Sequence, residues 1–466
     1  MEEHGSFVSE CSTSTENTMN IKTFLHGVIA LMSLTASGMA ESPEHTTKPE
    51  NALTHYLDRV AQHNPTIRAA RLKWRATKQE VPAAGALPDP ELHYGYFFSE
   101  VETRVGPQNQ RFGISQDIPW PARLDAERAA AGQSARQQYW QYKDTLREQL
   151  TAATRAWLEW VYAHQKQDLL QSQKAIVEQH RAAAEAAYAS SDDKLTEILR
   201  VRQRLIEIEQ QIAGAQGEIE AALAQLHRYQ NQHQPPKVRE HAFPSAKKLP
   251  PVSALLQRIR FRSEHLLATQ SNIHREEERL RQARMRDRPD IEAGFTYTEV
   301  GENRFSNPPD SGEDALLATI RVSLPIWRDK YNAIKQSAHT RLRHARMTRR
   351  EAMNNLKSSI RQLHAQATSA KRQYEIYRDR YLPESRDAYQ SAQHAFTAGE
   401  MDYSELLETE RALLDARLGK LYMKRQYLVT LTAIERQAAR SFFPNPASLT
   451  HSKTNQKTTR NRKLKP

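Results

Sequence analysis

Strict alternation of apolar and polar residues is confined to four short stretches of this chain, and most of the rest repeats at three-to-four-residue spacing. From Glu91 to Phe98, Leu92, Tyr94, Tyr96 and Phe98 fall on one side and Glu91, His93 and Gly95 on the other, the period-two pattern of a strand. Residues Val101 to Asn109, with Gly106-Pro107, read as a loop. Alternation then resumes with Phe112, Ile114 and Ile118 facing away from Arg111, Gly113, Ser115 and Asp117. A second pair of strands follows the same scheme. Ile291, Ala293, Phe295 and Tyr297 stand opposite Glu292, Gly294, Thr296 and Thr298, and a polar loop spans Gly301 to Asp314. Leu316, Ala318, Ile320, Val322 and Leu324 then oppose Thr319, Arg321 and Ser323. The pattern predicts two hairpins.

Each hairpin opens into helix. Ala122 to Gln234 is a run of 113 residues without proline in a chain that has 22 prolines, and its Ala, Gln, Glu, Arg and Leu lose little rotamer freedom in a helix. Small polar residues at Ser190, Ser191, Asp192 and Asp193 divide it, because their side chains compete for backbone hydrogen bonds. A helix from Ala122 to Ala189 would be about 100 Å long at ~1.5 Å per residue and needs partners along its length. Leu146, Leu150, Ala153 and Trp157, and then Leu195, Ile198, Leu199, Leu205, Ile208, Ile212, Ile219, Leu223 and Leu226, supply an apolar stripe. Ahead of the first hairpin, a helix from Asn51 to about Lys78 breaks at Asn64-Pro65. Ahead of the second, one is expected from Ser253 to Met285. Pro325 should open the last long helix, which breaks at Ala398-Gly399-Glu400 and continues to about Arg440.

The two programmes match by offset. Pro90 and Gly95 correspond to Pro289 and Gly294 at 199, Ile118-Pro119 to Leu324-Pro325 at 206, and Ile198-Leu199 to Leu406-Leu407 at 208. The chain therefore divides into an N-terminal extension and leader (1–40), a first repeat (51–234), a proline-rich linker (235–252), a second repeat (253–440) and a basic tail (441–466) expected to be disordered.

Composition narrows the class. Only 38% of residues are hydrophobic and the mean hydropathy is -0.78, poor material for several globular cores. The net charge of +12 is spread over helices that also carry Glu, a solvated surface rather than a nucleic-acid footprint. From Met19, Lys22, the apolar run Phe24 to Leu34 and Gly38-Met39-Ala40 read as a secretory signal peptide cleaved before Glu41. The single cysteine, Cys11, precedes that point, so neither a disulfide framework nor an acylated N-terminus is expected. No other run reaches the ~18 apolar residues of a membrane helix, so a chain that spans a bilayer must do so with strands. Four strands cannot close a barrel, and an open edge in lipid costs several kcal/mol per unpaired group, so several chains would have to share one. No GxSxG, HExxH, CxxC or phosphate loop is present. No enzyme, cofactor or metal site is expected, His93 reading as a residue of the strand's polar side and His164 as a surface residue.

Leu382-Pro383, Tyr389, Ala395-Phe396, Gly399, Leu406-Leu407, Glu410-Arg411 and Leu413-Leu414 resemble a turn of the TolC-type outer-membrane efflux proteins, and the likeness runs from about Asn51 to Arg440. Leu87-Pro88-Asp89-Pro90 and Ile118-Pro119-Trp120 are similar to the heavy-metal branch, related to cobalt-zinc-cadmium and copper-silver export. The resemblance implies a mainly α chain with a small β part, trimerising into a 12-stranded transmembrane β-barrel, four strands per chain, on a long α-helical barrel in the periplasm. It further implies a passive exit duct for metal ions or small toxic molecules, served by a periplasmic adaptor and an inner-membrane pump of resistance-nodulation-division type. The adaptor would dock at the turns, Ser191 and Asp192 in the first half and Gly399 and Glu400 in the second. The family narrows its tip with acidic residues after the turn glycine, positions held here by Glu405 and Glu408, with Glu197 and Arg200 their first-half counterparts. The rival reading is a periplasmic coiled-coil scaffold or adaptor without a pore, which has no need of amphipathic hairpins or matched halves.

Overall fold

A computed structural model describes residues 49–188, 195–232, 241–306 and 308–444. The leader, Ser191 and Asp192, residues 233–240 of the linker and the tail beyond 444 lie outside the described residues. Helices α1 (Pro49–His63) and α2 (Pro65–Ala83) lead into strands β1 (Glu91–Thr103) and β2 (Gly106–Ile118), then α3 (Pro121–Tyr188) and α4 (Leu195–Gln230). The same order returns as α5 (Val252–Arg262), α6 (Glu264–Arg284), β3 (Ile291–Val300), β4 (Ala315–Val322), α7 (Arg328–Ile376), a π turn (Tyr377–Tyr381), α8 (Leu382–Thr397) and α9 (Tyr403–Ala438). The chain is mainly α with a small β part.

Asn64 explains the first break. Its Oδ1 accepts from Ile67 N at 3.1 Å, its Nδ2 donates to the Tyr229 carbonyl at 2.9 Å, and Pro65 takes the first helical position, where no N–H is needed. The second half corrects the expected single helix over 253–285: Ser263, extended at φ -66 and ψ 118, ends α5 and caps α6 through its side chain. The expected loop over Val101 to Asn109 is also corrected. It is mostly strand, with Val101 opposite Gln108 and Thr103 opposite Gly106, beyond a register shift after Tyr96. Gly106, at φ +139, makes this turn possible, since a Cβ there would lie 1.7 Å from the Gly301 carbonyl oxygen. The last long helix starts at Arg328 rather than Pro325.

The π turn was not expected from the sequence. Pro383 has no N–H to give, and its ring crowds the carbonyl one turn back; the extra residue accommodates both. Tyr377 of this turn lies on bare backbone of α9, where a Cβ on Gly419 would fall 2.3 Å from its ring.

Midway along α3, a belt of α1, α5 and residues 241–251 covers the long helices. Its core joins Leu53, Tyr56, Trp157, Leu226, Leu255, Ile259, Leu431 and Phe442. His164 is not a free surface residue; it stacks on His241 with ring centroids 3.6 Å apart. The chain beyond α9 is held by Glu435, whose carboxylate accepts from Phe442 N at 3.1 Å. Burial pushes Glu435 up to about 7, against the pull of that amide and of Arg147. A raised folded-state pKa favours the protonated native form, so this contribution is complete below about pH 4.5 and is lost as pH rises through 7. Glu435→Gln should therefore change little at pH 4.5 and stabilise by up to about 3 kcal/mol at pH 8. Thermal unfolding at both pH values checks this, and equal pH slopes in the two proteins would count against it.

Candidate functional site

Two regions carry features that a single copy of the chain leaves incomplete. The first is the sheet, antiparallel in the order β1-β2-β3-β4, so that β1 and β4 each keep one unpaired edge. On one face the register sets Tyr94 beside Phe112 and Phe112 beside Tyr297, then Phe295 beside Ala318 and Tyr297 beside Leu316. These side chains cover nothing: Phe98 is 96% exposed, Leu92 79% and Ile320 78%. An exposed apolar surface of this extent calls for an apolar solvent or a partner. The opposite face carries His93, 3.2 Å from Ser115, and Arg321 paired with Glu292. It is kept narrow by Gly294, where a Cβ would meet Thr319 Oγ1 at 2.9 Å. Among the described residues no helix is long and apolar enough to cross a membrane, and no group of three or more His, Cys, Asp or Glu could hold a metal ion.

The second region is the opposite end of the long helices. Gly399 takes φ +76, its N–H reaches the Phe396 carbonyl at 3.0 Å, and Glu400 N reaches the Ala395 carbonyl at 2.9 Å. This is a Schellman closure that satisfies the last carbonyls of α8. Asp402 then starts α9. Below the turn, Val177, Ile198, Val201, Ala392, Tyr403 and Leu406 share a core. Glu405 and Glu408 flank that core as exposed side chains of α9's first turns, while Glu197 is half-buried and Arg200 exposed at the start of α4. All four stand at the same end, with no ion pair among them within one chain. Leu195 and Leu199, expected in the stripe, are 51% and 56% exposed.

Sequence reasoning missed the buried polar cluster behind this end. Glu410, 1% exposed, accepts from Gln173 Nε2 at 2.6 Å and from Arg204 Nη2 at 3.3 Å. Arg204 also reaches Glu207 at 3.2 Å, and Glu207 takes Arg411 at 3.0 Å. Three helices, α3, α4 and α9, are thus tied at one carboxylate. Burial raises the pKa of Glu410 and Arg204 opposes the rise; burial and then Glu410 raise Tyr403. The signal was present: Gln173, Arg204 and Glu410 each interrupt an apolar row, between Leu170 and Val177, beside Val201 and Leu205, and between Leu407 and Leu413.

Comparison with known proteins agrees with this architecture. The outer membrane efflux protein family model matches residues 255–439. A search of the curated proteins finds no match. Among solved structures, CusC, described in terms of transmembrane channel formation, superposes with a TM-score of 0.71 at 16% identity, covering 84% of this chain and 92% of that one. The open-state MtrE outer membrane channel of Neisseria gonorrhoeae gives 0.71 at 15%, covering 84% and 90%. The outer membrane protein VceC of Vibrio cholerae gives 0.68 at 15%, covering 84% and 96%. At these identities the likeness is one of fold.

Proposed function

We propose that this chain, whose second half matches the outer membrane efflux protein family and whose fold is that of outer-membrane channels, is one third of an efflux duct. Three copies of a four-stranded sheet supply twelve strands, an even number within the range of closed membrane barrels. The single observation that carries the reading is the sheet itself: two unpaired edges and an aromatic face turned wholly outward. Pairing β4 of one copy with β1 of the next removes the edges, and lipid takes the apolar face. The long helices then line up as a tube in the periplasm. Because a second layer inside would block the bore, the belt sits on the outer wall.

In this reading the duct is passive and located in the cell outer membrane. Metal ions or small toxic molecules arrive from an inner-membrane pump, of resistance-nodulation-division type, through a periplasmic adaptor docked at the Ser191-Asp192 and Gly399-Glu400 turns. Binding chemistry is not required of the wall, since cargo must leave. A coiled-coil scaffold or adaptor would leave the outward aromatic face without a purpose.

At the tip, Glu405 and Glu408 of three copies converge as a cation-attracting ring, with Glu197 and Arg200 behind it. Planar-bilayer recordings of the purified protein test the duct: current through a trimer is expected, and a monomer that never conducts would overturn it. In the same recordings Glu405→Ala and Glu408→Ala should raise conductance and weaken block by divalent cations. Unchanged traces would remove the ring and leave the duct standing.

A further inference from the structure

Tip-ward of the belt, α3, α8 and α9 enclose a groove of about 390 Å³. Its floor includes the buried side chains Leu382 and Leu421. Arg386, Arg417 and Lys420 line the walls, and none has a carboxylate partner among the described residues. Arg417 and Lys420 are half-buried and Arg386 is exposed; the chain pairs most of its other half-buried or buried cations, Arg147 with Glu264, Lys166 with Glu218, Arg425 with Glu159. Here the only lining carboxylate among the described residues is Asp168, which makes no ion pair with the three, leaving a formal excess of two positive charges (three cations less one carboxylate). The crowding extends to Lys424, whose pKa is lowered by burial and then by Lys420. Gln165, also in the lining, donates to the His241 carbonyl, so the groove opens on the belt side of α3.

Unpaired cations over a leucine floor are complementary to one kind of ligand. A purely inorganic anion would leave the floor wet, and a neutral apolar molecule would leave the cations uncompensated. We propose that this groove binds an amphiphilic organic anion, a single carboxylate or phosphate head on a short apolar body, with the head held between Arg417 and Lys420 and the body lying along Leu382 and Leu421. Asp168 opposes the head and limits affinity. The site is on the wall and independent of conduction.

Fluorine NMR of the full-length protein in nanodiscs of zwitterionic lipid, with a terminally trifluoromethylated octanoate as probe, tests this. A saturable bound resonance is expected, displaced by octanoate but not by octanol. Arg417→Gln with Lys420→Gln should weaken binding about tenfold or more, as loss of two charge-assisted contacts requires, and Asp168→Asn should strengthen it. Both variants keep polar side chains at partly exposed positions; an unchanged circular dichroism spectrum and elution volume establish that they fold. Three outcomes overturn the proposal: a resonance that persists in the double variant, which is lipid partitioning; equal displacement by octanol, which shows no selection for charge; and displacement by inorganic phosphate as effective as by octanoate, which shows no role for the apolar floor.

Discussion

Arg204→Met should destabilise the tip by about 3–5 kcal/mol, the cost of leaving a buried carboxylate without its cation. Glu410 would keep only Gln173, at 2.6 Å, and burial already raises its pKa. Without Arg204 the carboxyl must take up a proton or pay the full desolvation cost. The damage is therefore greatest at high pH and relieved at low pH, where the neutral acid still accepts from Gln173. The double variant Arg204→Met, Glu410→Met removes both charges and should recover most of the loss, because an apolar replacement of a buried pair is often neutral or stabilising. Thermal unfolding of the four proteins at pH 5 and pH 8 gives the cycle. Additive single losses would show that the two residues do not act as a pair.

Ile320→Arg should abolish outer-membrane assembly, whereas Thr319→Lys, one position away on the other face, should be tolerated. Ile320 sits opposite Ala293 on the aromatic face and Thr319 opposite Gly294 on the polar one. Arginine at the middle of a lipid-facing strand costs about 2–4 kcal/mol, and the proposed homotrimer would incur it three times in one barrel. Membrane fractionation with a heat-modifiability assay reads the result. If both variants assemble, or both fail, the two faces do not distinguish lipid from water.

The sheet was legible because aromatic and aliphatic residues keep period two where they must all face one solvent. It was misjudged at its far end, where β1 and β2 run on through Glu100, Glu102, Gln108 and Gln110, because the loop signal of Gly106-Pro107 outweighed the short alternation of Val101 and Val105 with Glu102 and Arg104. Long helices were legible from composition and the missing prolines, and the tip turn from Gly399, which only a left-handed φ explains. The division at Ser263 escaped notice because one serine in a helical context carries no distinctive signal. Gln173, Arg204 and Glu410 lie in different helices, and only packing reveals that they meet. Glu405 and Glu408 differ again: their positions could be read from the turn, but the proposed ring would form only between copies, so no single chain displays it.

The π turn at Tyr377–Tyr381 has a consequence for how the sequence beyond it must be written. The widened turn takes up one surplus residue, so the apolar positions of α8 keep the face that packs on α9 but stand one residue later than the count kept by α7. Deleting one residue there together with Pro383→Ala should therefore let α7 run into α8 as unbroken α-helix, with Leu382, Ser385 and Ala392, now buried, still on the face that packs on α9. A single-residue deletion elsewhere in α7 or α8 meets no such turn and should rotate everything beyond it by about 100°, so this junction is where the rod best tolerates a change of length.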